Sequence, residues 1–160
     1  MISLGLFPGY CIDTSAFVDL WRISYPPDVF QTLWKRIDDL ISEGRLIAPR
    51  EVFKELEKRD DELLKWTRKN KKMFKDLDPI QIREVQNILN GFPDLVDPNK
   101  TTPDADPFVI SLAITKGWSV VTSENPGNPG GRPKIPDVCE KYKVSCLQLI
   151  DFFRKEKWEF

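Results

Sequence analysis

Residues 10–22 read YCIDTSAFVDLWR, and this stretch decides the fold. A short apolar run ends at Asp13. Two hydroxyl residues, Thr14 and Ser15, follow at once, and then an amphipathic segment. The run predicts a strand over 9–13 and the segment a helix over 14–22, with Ser15 or Thr14 as its cap. A carboxylate at the end of a buried strand is costly unless something pairs with it, so the rest of the chain has to supply a partner for Asp13.

Working outward, the prolines of SYPP stop the first helix. Asp28 is expected to cap VFQTLWKRIDDLISEG, whose Phe30, Leu33, Trp34, Ile37, Leu40 and Ile41 fall at helical spacing up to Gly44. RLIAP (45–49) reads as a short buried strand ended by Pro49. Helices are expected over 50–69 and over 78–90, the second capped by Asp78 with Pro79 in its first turn. A Pro-rich loop, NGFPDLVDPNKTTP, precedes a helix over 104–116 that ends at Gly117. WSVVTSE (118–124) predicts a strand, and NPGNPGGRPKIP (125–136) a Gly/Pro loop. A short helix (136–142), a short strand (144–147) and a last helix (148–156) complete the pattern. Strands that alternate with helices predict an α/β fold, a mainly parallel sheet covered on both faces. The absence of repeats and linkers makes residues 1–160 a single domain.

The bulk composition narrows the function. The chain has 160 residues, 41% hydrophobic and 31% charged, with a net charge of −1. No global charge points to nucleic acid or to an anionic membrane. No apolar run approaches the roughly 18 residues of a membrane span. The opening MISLGLFPGY is too short for a signal peptide and lacks its basic region. Cys11, Cys139 and Cys146 are an odd number without metal-ligand spacing, as expected for reduced thiols in a cytoplasmic protein. The sequence has no histidine. That excludes Ser-His-Asp and Cys-His pairs and histidine-ligated zinc.

Acids recur where an open parallel sheet binds its ligands, beyond the carboxyl ends of the strands. Asp13 ends the first strand. Glu51 and Glu55, four residues apart, share a face of the helix after the second. Glu124 ends the strand SVVTSE, and Asp104 and Asp106 open the helix of TPDADPFVISLA. Acids that converge either raise one another's pKa or are neutralised by a divalent cation. Oxygen-only ligands suit Mg²⁺ or Mn²⁺, which activate water for attack on a phosphodiester without histidine. Each acid also has a plainer use: Asp13 as a helix cap, Asp104 and Asp106 as partners of a helix dipole, Glu51 and Glu55 as a solvated face.

At these residues the sequence resembles the PIN-domain family, metal-dependent ribonucleases that include the VapC-type toxins of toxin–antitoxin pairs. The matching pieces, in order, are YCIDTSAFVDL, LIAPREVFKELE, DADPFVISLAITKGWSVVTSE and IPDVCEKYKVSCLQLIDFF. The loop and the IPDVC…C ending look like a small bacterial PIN-like branch. The resemblance implies a three-layer α/β/α sandwich, hydrolysis of RNA, and inhibition by a cognate antitoxin. Carried over by position, the family's acids fall on Asp13, Glu55, Asp106 and Glu124, with Ser15 and Thr14 in support. Glu124 stands where Asp or Asn is more usual. Asp104 competes with Asp106 for the third position, since at ideal helical rotation the two diverge by about 200°. The helix pair around 16–43 would be the place for antitoxin or homodimer contacts.

For RNA binding, KWTRKNKKMFK (65–75) carries Lys65, Arg68, Lys69, Lys71, Lys72 and Lys75 without an acid, interleaved with Trp66 and Phe74. Such a patch can follow a phosphate backbone while an aromatic stacks on a base; a solvated helix end with Trp66 in the core is the alternative. Arg132 and Lys134 lie in the Gly/Pro loop just after Glu124. Two other functions compete with the nuclease. One is a catalytically weak RNA- or protein-binding module. The other is an aspartate-nucleophile phosphatase, disfavoured because Ser15 stands where its second aspartate belongs.

Overall fold

In the computed structural model the described residues are 7–58, 61–99 and 104–160. The expected α/β architecture is what forms. Five strands, β1 (Tyr10–Ile12), β2 (Leu46–Pro49), β3 (Phe74–Lys75), β4 (Ser119–Val121) and β5 (Cys146–Leu147), make one sheet in the order β3-β2-β1-β4-β5. Every pairing is parallel. The central strands YCI, LIAP and SVV are buried at every position, as strands covered on both faces must be.

The helices are α1 (Thr14–Val18), α2 (Gln31–Ser42), α3 (Arg50–Glu57), α4 (Glu62–Lys69), α5 (Pro79–Gly91), α6 (Asp106–Lys116), α7 (Ile135–Tyr142) and α8 (Leu149–Lys155). The chain runs one way across the sheet for β1, β2 and β3, then reverses for β4 and β5. Right-handed crossovers therefore place α1–α4 on one face and α5–α7 on the other, a three-layer sandwich. On the first face α8 joins α1–α4: Phe153 packs on Tyr25, and Phe152 packs edge-on against Tyr10 of β1 at 4.6 Å. Each fully buried large side chain of this core contributes roughly 1.5–3 kcal/mol. The strand order switches direction between β1 and β4, and the ends of these two strands open the crevice where ligands bind in such sheets. No helix among the described residues is long and apolar enough to cross a membrane.

Several local expectations are corrected. Asp28 does not cap α2. The N–H groups of Val29 and Phe30 bond back to the Pro26 carbonyl, so Asp28 lies inside a turn and the helix starts at Gln31. The single helix expected over 50–69 is two. α3 ends at Glu57, and Asp61 caps a new start by accepting from Leu64 N at 3.0 Å. β3 was not expected at all. The first helix is short and passes into a π-helical turn over Asp19–Ser24. α6 begins at Asp106, two residues later than its pattern suggests.

The 65–75 segment is also placed differently from a stacking platform. Trp66 sits in an aromatic cluster with Phe17, Trp21 and Trp34, ring centres 5.2–6.2 Å apart, and Phe74 packs on Phe17 and Phe53. Arg68 and Lys69 end α4, and Lys71 and Lys72 form the 3-10 turn that leads into β3. Lys65 pairs with Glu62 at 2.9 Å.

Candidate active site

Asp13 directly follows β1 and keeps its register, donating its N–H to the Val121 carbonyl at 3.0 Å. Its backbone is extended, so its side chain turns back over the start of α1 and Oδ1 accepts from Ala16 N at 2.8 Å. Two hydroxyls hold the same carboxylate. Ser15 Oγ lies 2.9 Å from both oxygens, and Thr122 Oγ1 donates to Oδ2 at 2.6 Å. Asp13 is thus a helix cap and a cleft residue at once. It is only 2% exposed. Burial pushes its pKa up to about 7, against the pull of these hydrogen bonds, and Glu124 adds repulsion.

Glu55 reaches the same place from α3. Thr14 Oγ1 donates to its Oε1, and Ala105 N donates to Oε2 at 3.2 Å, so one carboxylate ties α3 to the starts of α1 and α6. Asp106 is the first residue of α6 and accepts no hydrogen bond among the described residues. Burial, then repulsion from Glu124, Asp13, Glu55 and Asp104, pushes its pKa up to about 8. Glu124 comes from beyond β4, its Oε1 accepting from Ile135 N at 3.1 Å at the start of α7. Asp104 Oδ2 accepts from Asp97 N at 2.9 Å and lies 3.8 Å from Arg132 Nη2.

These acids line one cleft of about 620 Å³, with Thr14, Ser15, Val18, Asp19, Ile23 and Ser123. Asp13, Glu55, Asp104, Asp106 and Glu124 are all brought together. Lys65, Arg68, Lys69, Lys71, Lys72 and Lys134 do not line it, and Arg132 meets it only through Asp104. Glu51 stays outside its lining. It is buried one turn before Glu55, and its Oε1 has no hydrogen-bond partner among the described residues. Among the described residues no three Asp, Glu or Cys side chains are close enough to hold a metal ion.

Two contributors were not singled out from the sequence. Asp19 enters because the π-helical turn swings it to the rim, where Oδ2 accepts from Ser123 Oγ at 2.8 Å. Thr122, two residues before Glu124, is recognisable only once β4 is known to lie beside β1. Ser15 completes the join, accepting from Ser123 N at 3.0 Å.

Residues 10–160 match a family described as a domain of unknown function, DUF4411. The chain belongs to that family. No curated protein matches the sequence. Among solved structures, one match is the crystal structure of PAE2754 from Pyrobaculum aerophilum. It is 16% identical, with a TM-score of 0.46, over 92% of this chain and 96% of the other.

Proposed function

We propose that the cleft is the active site of a Mg²⁺- or Mn²⁺-dependent ribonuclease. One observation carries the reading: among the described residues, six acids from four segments and no basic residue line a single cleft at the topological switch point. Burial first, and then repulsion among the acids, raises the pKa of Asp13 to about 7 and of Asp106 to about 8. A cleft of that kind favours a cation. Its donors are carboxylates and hydroxyls, a hard oxygen set that fits Mg²⁺ or Mn²⁺ and not zinc.

Asp13 and Asp106 would hold the ion. When bound, it supplies the positive charge that activates a water and stabilises the charge developing on a phosphoryl oxygen. Ser15 and Thr122 orient the Asp13 carboxylate by their hydrogen bonds. Glu55 and Glu124, each bonded to a backbone N–H, also line the cleft and would take a proton from the attacking water. The sequence resemblance to PIN-domain nucleases adds RNA as the substrate, and the toxin of a toxin–antitoxin pair as the biological role.

A second reading is a catalytically weak binding module. The engagement of Glu124 by Ile135 N–H favours it, because that carboxylate is partly committed. An aspartyl phosphatase fits poorly: Ser15, whose hydroxyl bonds Asp13, stands where that chemistry wants a second aspartate as general acid.

The test is incubation of a mixed RNA pool with the protein in Mg²⁺, in Mn²⁺ and in EDTA, beside Asp13→Asn. The nuclease reading expects cleavage with metal alone and none from the variant. RNA left intact in both metals, yet bound, would establish the module instead.

A further inference from the structure

We propose that Arg132 receives a phosphate of the bound polyanion at the rim of the cleft, and that Asp104 holds Arg132 in place and is not one of the metal-holding acids. This rests on the nuclease reading above.

The cleft walls are acidic, hydroxylic or apolar. Even with a cation bound among the acids, the phosphates flanking the one attacked meet no countercharge from those walls. Among the described residues, the one basic side chain within ion-pair reach of a cleft carboxylate is Arg132, 3.8 Å from Asp104. It stands between the acid cleft and a neighbouring cavity of about 370 Å³ bordered by Asp94, Asp97 and Gly130.

Its position is built. Arg132 Nε donates to the Asp94 carbonyl at 2.8 Å, and Asp97 N donates to Asp104 at 2.9 Å. One short segment, 94–97, therefore grips both members of the pair. The Gly/Pro loop is anchored below Arg132, where Asp137 Oδ2 accepts from Gly127 N and from Lys134 N, both at 2.8 Å. A side chain at 127 would collide with the Arg132 carbonyl, since a Cβ there would lie 2.6 Å from it. The glycine lets the loop close and sets the height of the guanidinium.

The contact with Asp104 is long and the arginine half-exposed, so it is a weak pair that a phosphate can displace. A guanidinium bound through Nε to a carbonyl keeps further donors for the bidentate geometry that phosphate prefers. Asp104 is engaged outward, towards Asp97 and Arg132, whereas Asp106 accepts no such hydrogen bond. The two acids one residue apart thus divide the work.

The experiment measures Mn²⁺ binding, binding of a labelled single-stranded RNA oligonucleotide, and steady-state cleavage for wild type, Arg132→Ala, Arg132→Lys, Asp104→Asn and Asp106→Asn. Arg132→Ala should raise KM about tenfold, the loss of one charge-assisted phosphate contact, with kcat within about twofold. It should also lower the salt dependence of RNA binding by about one ion. Arg132→Lys should recover part of the affinity. Asp104→Asn should raise KM and keep wild-type Mn²⁺ affinity, while Asp106→Asn loses it. Unchanged KM and salt slope in Arg132→Ala, or loss of Mn²⁺ by Asp104→Asn, would overturn the proposal. A wild-type protein that neither cleaves nor binds RNA would overturn the nuclease reading itself, a result separate from any variant.

Discussion

Thr122 donates its hydroxyl to Oδ2 of Asp13 at 2.6 Å, across the join between β4 and β1. The acid from the first strand is thus oriented by a side chain more than a hundred residues away. Thr122→Val keeps the shape and deletes the donor. It should cost about 1 kcal/mol of stability, because a buried acceptor loses one of its two hydroxyl partners. It should also raise the Asp13 pKa further, since the lost bond favoured the charged form. The acid limb of any pH–activity profile should move to higher pH, and Thr122→Ser should restore it. Chemical denaturation and a pH profile measure the two effects.

Asp13 and Asp106 have folded pKa values of about 7 and about 8, above the ordinary 3.8. Between about pH 4 and pH 8 the folded chain keeps protons that the unfolded chain has released. The linked stability is therefore intact below that window and falls as pH rises through it. Asp106→Asn removes one such group. In metal-free buffer the variant should gain melting temperature relative to wild type as pH goes from 5 to 8. Mn²⁺ should flatten the wild-type curve in the same way, because it stabilises the charged carboxylates. Thermal melts at several pH values, with and without the ion, check both.

Gly9 lies at the start of β1 against the indole of Trp118, which leads into β4. A Cβ at position 9 would sit 2.1 Å from the ring. Gly9→Ala should destabilise the fold by about 1–3 kcal/mol through overpacking. A matching change at exposed Gly44, where a Cβ would meet no atom, is limited to the strain of its left-handed backbone. Urea titrations of both variants make the comparison.

Trp66 belongs to the ring cluster with Phe17, Trp21 and Trp34. Trp66→Ala should therefore cost about 3 kcal/mol in stability and leave the RNA affinity of the folded protein unchanged. A base-stacking role would give the reverse pattern. Denaturation and RNA binding on the same preparation decide.

The sequence disclosed the parts whose signal is local. YCI, LIAP and SVV are short apolar runs with clear stops, and four acids of the cleft, Asp13, Asp104, Asp106 and Glu124, follow a strand or stand at the start of a helix. β3 was hidden because it is two residues long, Phe74 and Lys75, and exists only by pairing with Ala48 and Pro49 of β2. The break between α3 and α4 turns on the cap at Asp61, which a helical hydrophobic period overruns. Asp19 needed the π-helical turn, and Thr122 needed the strand order. The run of cations at 65–75 suggested one surface, yet its aromatics pack against the core and none of its charges lines the cleft. Charge spacing along a chain does not say which surface the charges face; the packing of the neighbouring rings does.

The central claim is that Asp13 and Asp106 give up the protons they hold near neutral pH when a divalent ion joins them. Calorimetric titration of the metal-free protein with Mn²⁺ at pH 7, in two buffers of different ionisation enthalpy, tests it most directly. With pKa values of about 7 and 8, binding should release about one to two protons per ion, and Asp106→Asn should abolish it. Absence of binding at millimolar Mn²⁺, or binding with no proton release that survives Asp106→Asn, would contradict the account.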